Sequence, residues 1–499
     1  MSFKIDSKNI PEVKLGITAV SRDCFVSTLS EKRREATVKC LTEKNVKIHN
    51  CKIIVENEND VLKAIADLKE NNVNALVVFL GNFGPEGPET MLAQKFEGPV
   101  MFAGAAEEST EVLAGERGDA YCGMLSMSYN LALRGLNVYI PEYPVGNACE
   151  VADMISDFEI IARAYLGVKG LKIITFGPRP FDFFACNAPI APLFDLGVEL
   201  QENSELDLFE SYGKHAGDKR LPGVIAEIEE DLKNSKCHFP KVIPDLAQYE
   251  LTLSDWYEKN LGASKYTAFA NKCWPAFQTM FHFVPCYVNS RFASKGIPIA
   301  CETDIYGALT EYILTCITGE SVTLLDINNT VPADLYEAHK GLAKDYAPSD
   351  LFMGFHCGNT PVCRLKSSAL THQLIMKRLL EPDGEPYMSR GALEGDIAAS
   401  DVTLFRLQSS KDGELRSYIA QGETLDIPSK SFGGIGVIAV KEMARFYRHV
   451  LIQKQFPHHS GVGFAKCGKY LFELLKLIGV KDISYNQPGG VLYKTENPF

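Results

Sequence analysis

The sequence lacks the features that mark secreted, membrane-spanning and nucleic-acid-binding proteins. Its 499 residues carry a formal net charge of −12, whereas nucleic acid and anionic membranes attract basic surfaces. No apolar run approaches the roughly 20 residues that cross a bilayer. The opening residues, MSFKIDSKNIPEV, have no apolar core of a signal peptide. We therefore expect a soluble, cytoplasmic protein with no nucleic-acid or membrane partner.

The 14 cysteines include no CxxC pair and are scattered along the whole chain. This spacing fits neither a cysteine-rich zinc site nor the disulfide framework of a small secreted domain. We expect all of these thiols to be reduced and most of them to be buried.

Motifs of several common enzyme classes are also absent. No G-x-G-x-x-G stands at a strand–helix turn, and GGIG at 433–436 lacks the third glycine. There is no P-loop lysine motif and no G-x-S-x-G elbow. Nicotinamide, ATP and serine-hydrolase chemistries are therefore disfavoured.

The hydrophobic pattern predicts an α/β protein whose first two sections have mostly parallel sheets. A chain of this length exceeds one hydrophobic core, so several domains are expected. Apolar runs alternate with amphipathic segments, which is typical of Rossmann-like domains. The first section covers 1–168, with runs at 13–18, 74–80 and 99–104, and the second covers 169–345, with strand-like runs at 171–177, 297–302 and 321–328 and a helix at about 304–318.

The third section, 346–499, has a different hydrophobic pattern. Short apolar runs separated by turn residues indicate an antiparallel sheet or barrel, and helical spacing indicates a terminal helix at about 461–478. The apolar runs lie at 401–407, 417–422 and 434–440.

Three loops follow strand-like runs in the two α/β sections, at 19–23, 81–87 and 177–182. Ligands of open parallel sheets collect at the carboxyl ends of strands, so at least one of these loops should contact a ligand. The alternative is that their glycines and prolines only form tight turns.

Two carboxylates stand at the ends of buried-type runs. Glu302 follows GIPIAC, and Asp326 follows SVTLL, 24 residues later. Buried carboxylates need an ion, a charged partner or hydrogen bonds. We interpret the intervening segment as a strand–helix–strand unit, which would place both groups at one edge of a parallel sheet. Alternatively, one carboxylate caps the helix and the other forms a salt bridge.

Two of the segments that contain histidine are distinctive among the 10 histidines of the chain. FPHHSGVGF (456–464) places adjacent histidines before small residues and the expected terminal helix. GFHCGNTP (354–361) places His356 in a turn-rich loop. Carboxylates with imidazoles and no clustered thiolates suit Mn²⁺ or Mg²⁺, although ordinary structural histidines would explain either segment.

These segments together resemble the L-fucose isomerase and L-arabinose isomerase superfamily. CETDIYGALTEYI (301–313) and LLDINNTVP (324–332) are similar to the metal-site segments of that group, and the two histidine segments follow in the same order. FLGNFGPEGPET (79–90) and KCWPAFQ (272–278) also resemble fucose-isomerase-like proteins. The resemblance covers most of the chain and implies two α/β domains followed by a β-rich domain.

Carried over by position, the resemblance assigns roles to particular residues. Glu302 and Asp326 correspond to the carboxylates that bind metal and move protons, and the histidine ligand falls on the His458–His459 pair, with His459 preferred. The resemblance further implies Mn²⁺, with Mg²⁺ or Co²⁺ as substitutes, and a homo-oligomer, a hexamer or trimer with sites near subunit interfaces. We expect substrate contacts from Arg22, Asn82, Trp274, His356, Asn359 and His458.

The implied activity is the interconversion of an aldose and a ketose through an enediol. A hydride shift on the same metal is one alternative, and a metal-dependent aldolase or dehydratase is another. A sugar-binding or regulatory protein on this fold is a third. The sugar stays open, because Arg22 and Arg179 in strand-end loops would suit a sulfonated, carboxylated or phosphorylated substrate.

Overall fold

The computed structural model describes residue 5 and residues 8–111, 113–343 and 345–499. They form two compact units. The N-terminal unit comprises Pro11–Leu166 with Phe472–Gly479, and the large unit comprises Gly167–Leu471, Val480–Phe499 and the described residues before Pro11. Division into three domains at 168/169 and 345/346 stays a prediction.

A parallel sheet forms the centre of the N-terminal unit, with strand order β2-β1-β3-β4-β5. The predicted parallel α/β arrangement of this section is confirmed. Its central strands are buried along their whole length, as apolar runs such as ALVVFL require. In chain order the elements are β1 (Leu15–Val20), α1 (Ser27–Glu43), β2 (Ile48–Asn50), α2 (Glu58–Glu70), β3 (Ala75–Leu80), α3 (Glu86–Lys95), β4 (Val100–Ala105), α4 (Ala120–Leu133), β5 (Val145–Gly146) and α5 (Ala148–Lys169).

One expectation about the cysteines is wrong. Cys40 on α1 and Cys149 on α5 are joined by a disulfide, because the two helices bring their Cα atoms to 5.3 Å. Sequence spacing does not reveal this approach, since 109 residues separate the two cysteines. The other cysteines are free thiols, and most of them are buried or partly buried.

A second parallel sheet lies in the large unit, with strand order β10-β9-β6-β7. Its apolar face packs against the helices Ile243–Asn260 and Cys286–Ser294, with Phe269, Tyr249 and Phe292 in the shared core. The elements of this part are β6 (Leu171–Phe176), α6 (Ala191–Asp195), β7 (Glu199–Asn203), α7 (Glu205–Lys214), α8 (Leu221–Asp231), β8 (Lys236–Cys237), α9 (Ile243–Asn260), β9 (Tyr266–Ala270), α10 (Phe277–Phe281), α11 (Cys286–Ser294), β10 (Ile299–Ala300) and α12 (Ile305–Thr318).

The rest of the large unit is dominated by a β-barrel. The elements are β11 (Thr323–Thr330), α13 (Ala333–Ala338), β12 (Leu351–His356), β13 (Ala369–His372), α14 (Leu374–Leu380), β14 (Arg390–Asp396), β15 (Ser400–Ser409), β16 (Leu415–Leu425), β17 (Gly434–Ala439), α15 (Met443–Phe446), β18 (His459–Gly463), α16 (Gly468–Leu477) and β19 (Asp482–Tyr485). Within the described chain, six antiparallel strands close into a ring in the order β16-β15-β18-β11-β12-β17, because β17 pairs again with β16. The expected β-rich, barrel-like C-terminal part is confirmed.

Two local predictions are wrong. The strand–helix–strand unit between Glu302 and Asp326 does not form a parallel pair: β10 belongs to the parallel sheet, whereas β11 is a barrel strand between β12 and β18. The terminal helix begins at Gly468 rather than near 461, because HSGVG forms β18.

Small residues explain the second correction. A side chain at Gly461 would collide with α12, since a Cβ atom there would lie 2.7 Å from Thr310 Cγ2 and 2.9 Å from Leu314 Cδ1. The glycine therefore lets β18 run directly over α12, and this close approach fixes the position of His459 two residues earlier.

Within the described residues, no helix combines the length and apolar character needed to cross a membrane.

Candidate metal centre

Glu302 lies in a strained turn where the parallel sheet ends. It lies two residues after the end of β10 and has a φ of 61°, and the next residue, Thr303, has a φ of 56°. Two successive non-glycine residues in the left-handed region are uncommon, and a β-branched residue there is a genuine outlier. The amide of Thr303 donates to the carbonyl of Asn271, at 2.8 Å, which holds the turn in place. Strain of this kind concentrates at functional sites.

Three adjacent barrel strands supply the other groups. Asp326 on β11 is directly opposite His459 on β18, and the amide of Ile327 donates to the carbonyl of His458 at 2.9 Å. On the other side of β11, Asp326 is opposite Phe355, which immediately precedes His356 at the end of β12. The antiparallel register therefore places a carboxylate between two imidazoles.

Carboxylate oxygens of Glu302 and Asp326 converge on Nε2 of His459. In the described part of the chain, the possible ligand clusters around this histidine include Glu302 with His458 and Asp326 with His356. His459 Nε2 lies 3.0 Å from Glu302 Oε2 and 3.5 Å from Asp326 Oδ1. Among the described residues, these three buried atoms have no well-aligned hydrogen-bond partner. Buried polar atoms are normally satisfied, so three unsatisfied atoms at one point indicate a ligand site.

The charges around this point favour a cation. Burial works against a charge on Glu302, but the neighbouring His459 outweighs it and lowers the pKa of this carboxyl. Burial also opposes a charge on His459, yet Cys186, Asp304 and Glu302 raise its pKa well above the usual value. The acidic surroundings thus stabilise positive charge at the convergence point.

Asp304 orients His459 from the opposite side of the imidazole ring. Its Oδ2 lies 2.8 Å from His459 Nδ1, while its Oδ1 accepts from the amide of Gly307 at 2.8 Å and caps α12. Arg406 on β15 adds a bidentate contact of 2.5 and 2.9 Å. Both side chains of this ion pair are fully buried. The capping role considered for this region thus belongs to Asp304, and it is combined with two further contacts.

These contacts have the arrangement of a metal-binding histidine and its supporting carboxylate. Metal-ligating imidazoles commonly bond a carboxylate through the ring nitrogen that faces away from the ion, which fixes the tautomer and the ring orientation. Asp304 occupies that position for His459, and Nε2 is directed towards Glu302 and Asp326. Two carboxylates and one imidazole suit Mn²⁺ or another divalent ion with oxygen and nitrogen ligands. The residues therefore fit a divalent metal ion.

Sequence reasoning missed several groups that shape this centre. Phe183 contacts both histidines, with ring centroids 5.4 Å from His458 and 6.3 Å from His459. Cys186 places its sulfur 3.5 Å from His459 Nδ1. Both residues follow the loop at 177–182, whose contact with a ligand stays a prediction. Arg406 had a signal in the sequence, because an arginine inside the apolar run DVTLFRL requires a buried partner.

The predicted histidines and their neighbours occupy different positions. His356 is buried, and its Nδ1 accepts from the amide of Cys357 at 2.9 Å, so Nε2 carries the proton of the neutral ring. Its ring centroid lies 5.7 Å from that of His459. His458 is more exposed, and its Nε2 lies 3.8 Å from Asp326 Oδ1. Asn359 is buried, and within the described chain its Oδ1 has no hydrogen-bond partner.

Trp274, Arg22 and Asn82 are not brought to this point by any described contact. Trp274 packs against Phe181, with centroids 5.5 Å apart. Arg22 and Asn82 lie in the N-terminal unit. Asn82 Oδ1 accepts from the backbone amide of Arg22 at 3.1 Å, and its Nδ2 donates to Ser21 Oγ at 2.9 Å, so it braces the loops after β1 and β3. The Arg22 side chain pairs with Glu86.

A cavity of about 640 Å³ lies in the large unit beside residues that neighbour the centre. Cys186 and Thr303, neighbours of His459 and Glu302, form part of its wall. Arg179 and Lys411 contribute positive charge, and Glu202 contributes one carboxylate. The guanidinium of Arg179 lies over the Phe184 ring, and its buried Nε lacks a hydrogen-bond partner among the described residues. The lining residues thus carry two positive charges and one negative charge, and Lys411 is also paired with Asp412 at 3.3 Å.

Two family models match the sequence. Residues 16–169 match the model described as "Fucose/sulfoquinovose isomerase, N-terminal domain", and residues 354–485 match "L-fucose isomerase, C-terminal domain". The second match contains His356, Arg406 and the histidine pair. Together the two matches cover more than half of the chain.

Individual relatives agree with these matches. The chain is 23% identical over 319 residues to a sulfoquinovose isomerase of Alkalicoccus urumqiensis, a match that covers 63% of this chain and 64% of the relative. It is 23% identical over 331 residues to a sulfoquinovose isomerase of Priestia aryabhattai (65% and 67%) and 30% identical over 184 residues to one of Clostridium sp. MSTE9 (36% of each). The chain thus spans slightly less than two thirds of the first relative's length. This chain belongs to the fucose isomerase-like family.

Proposed function

We propose that this protein is a metal-dependent isomerase that interconverts an aldose and a ketose, with an anionic, sulfonated sugar as substrate. The convergence of Glu302 Oε2, Asp326 Oδ1 and His459 Nε2 carries the proposal. The relatives' activity supports the reaction class. A homo-oligomer with sites near subunit interfaces and a cytoplasmic location stay predictions.

Glu302, Asp326 and His459 would hold the metal, for which Mn²⁺ is the proposed ion. When bound, such an ion polarises the sugar carbonyl and acidifies the adjacent C–H bond. Glu302 and Asp326 each place a carboxylate oxygen near His459 Nε2, so one carboxylate removes the proton from C2 and returns a proton to C1, while the proton of the O2 hydroxyl moves to O1. Asp304 keeps His459 in one orientation, and Phe183 keeps both histidine rings packed.

The geometry favours proton transfer over a binding-only role. A sugar-binding protein needs shape and hydrogen bonds, whereas this centre places two carboxylates with unsatisfied buried oxygens beside the imidazole of His459. A carboxyl with a shifted pKa in such a cluster, as Glu302 has here, is typical of acid–base catalysis. The lowered pKa of Glu302 keeps this group ionised and able to accept a proton at neutral pH.

The cavity beside the centre supports an anionic substrate. The relatives are named for sulfoquinovose. In this sulfonated sugar the sulfonate is at the end of the carbon chain remote from the carbonyl. Arg179 and Lys411 line the cavity and contribute two positive charges. An arginine fork binds oxyanions in a directed way, and Arg179 has an unsatisfied Nε that is suited to this role.

Metal binding distinguishes the two adjacent histidines. After chelator treatment, the wild-type chain should bind one Mn²⁺, measured by isothermal titration calorimetry. His459→Gln should weaken binding by at least about 100-fold because it removes a ligand, whereas loss of a supporting residue costs about 10–100-fold. His458→Gln is the matched control and should change the Kd by less than about 5-fold. Unchanged binding by His459→Gln would contradict the ligand assignment.

Isotope exchange tests the proton-transfer mechanism. With sulfoquinovose and Mn²⁺ in D₂O, the ketose product should carry deuterium at C1, because the transferred proton exchanges on the carboxylate. Glu302→Gln and Asp326→Asn should each lower kcat by about 10²–10⁴-fold. Glu311→Gln, which alters a buried carboxyl outside the converging set, is the matched control. A ketose free of deuterium would point to a hydride shift, and metal binding without turnover would point to a binding protein.

Substrate selectivity tests the role of the cavity. Arg179→Gln should raise KM for sulfoquinovose by about 10–100-fold, since a lost charge-assisted contact costs about 1.5–3 kcal/mol. The same variant should leave KM for glucose, which has a hydroxyl in place of the sulfonate, within about 3-fold of wild type. Lys411→Gln should act in the same direction with a smaller effect. Equal changes for both sugars would contradict sulfonate recognition at Arg179.

A further inference from the structure

The outer face of α4 in the N-terminal unit is unusual for a surface helix. Tyr121, Leu125, Tyr129 and Leu133 follow one another at four-residue intervals and are 64%, 67%, 66% and 67% exposed. No charged residue occurs between Ala120 and Leu133. Helices that face water normally carry charged or polar residues on that side.

The opposite face of α4 already supplies its share of the core. Gly123, Met124, Met127 and Leu131 are buried against the sheet. Gly123 packs very closely against the backbone of Phe83, since a Cβ atom at this position would lie 2.0 Å from the carbonyl oxygen of Phe83. The inner face therefore holds the helix in place, and the outer apolar residues are not needed for the fold of the unit.

We infer that this outer face, which we call the α4 ridge (Tyr121, Leu125, Tyr129 and Leu133), packs against the α4 ridge of a second copy of the chain. Side chains at four-residue spacing form the type of ridge that most often interlocks between packed helices. This assignment is independent of the proposed reaction.

The order of residues along the ridge is complementary to itself. In an antiparallel pair, Tyr121 meets Leu133 of the second copy and Leu125 meets Tyr129, so every contact joins an aromatic ring to a leucine. A two-fold interface requires this property, because the same patch serves both copies. Residues that flank the ridge are small, and Cys122 of one copy would face Ala132 of the other.

The area and charge of the ridge also suit a second copy. Four such side chains expose on the order of 500 Å² of mostly apolar surface per copy, so a pair buries about 1,000 Å², the lower bound for a specific interface. Each chain has a net charge of −12, yet the ridge itself brings no charged group into contact. A membrane-surface helix would instead carry Lys or Arg beside its apolar face, and α4 has none.

Sedimentation analysis of the full-length protein tests the interface. Leu125→Asp should halve the molar mass of the wild-type assembly, because it places two carboxylates in the two-fold contact. Leu62→Asp is the matched control: Leu62 on α2 is 59% exposed and lies outside the ridge, so this variant should keep the wild-type mass. Thermal unfolding midpoints measured on both variants establish that each chain is folded. A monomeric wild type, or a Leu125→Asp protein of unchanged mass, overturns the proposal.

A cross-linking variant tests the antiparallel register. Ala132→Cys should form a disulfide with Cys122 of the second copy under mild oxidation, giving a covalent dimer on a non-reducing gel. The double variant Cys122→Ser, Ala132→Cys should give none. Absence of the dimer in Ala132→Cys, or its persistence in the double variant, overturns the antiparallel arrangement.

Discussion

The buried carboxylate of Asp304 is the constraint on which the rest of the large unit's site depends. It caps α12, forms a bidentate ion pair with Arg406 of the barrel and fixes the ring of His459. These contacts join the end of the parallel sheet to two barrel strands at one residue. A buried ion pair of this kind is costly to break, because removal of one partner leaves the other charge unpaired in the interior. Its position therefore sets the position of the imidazole.

The strained turn at Glu302 and Thr303 positions the second group of the centre, the Glu302 carboxylate, near the imidazole that Asp304 holds. Left-handed φ values at two successive residues cost of order 1–3 kcal/mol each, and they persist only where surrounding contacts determine them. The turn lies between β10 and the α12 cap, so both of its ends are anchored. In this conformation Glu302 Oε2 lies 3.0 Å from His459 Nε2. Strain and unsatisfied polar atoms occur together at this point, which is the combination expected of a preorganised centre.

Much of the fold was predictable from the sequence because apolar periodicity is local. Runs such as ALVVFL and the apolar stretch of α12 report burial directly, and both elements lie where the pattern places them. The route from Glu302 to Asp326 was not predictable, since period alone does not distinguish a parallel strand from a barrel strand. The β18 strand was mistaken for a helix start because HSGVG is rich in small residues, whose value lies in a tertiary contact with Thr310 and Leu314. The contacts of Asp304 with Arg406 and His459 were not predictable, because these partners are 102 and 155 residues away in the sequence.

The central claim is that Glu302, Asp326 and His459 hold one divalent ion between them. Anomalous diffraction from crystals of the Mn²⁺-loaded protein, collected on both sides of the manganese absorption edge, tests it most directly. We expect one strong manganese peak per chain within about 2.0–2.4 Å of Glu302 Oε2, Asp326 Oδ1 and His459 Nε2. A fully loaded crystal with its manganese peak elsewhere, with these three atoms in contact only with one another or with water, would contradict the claim.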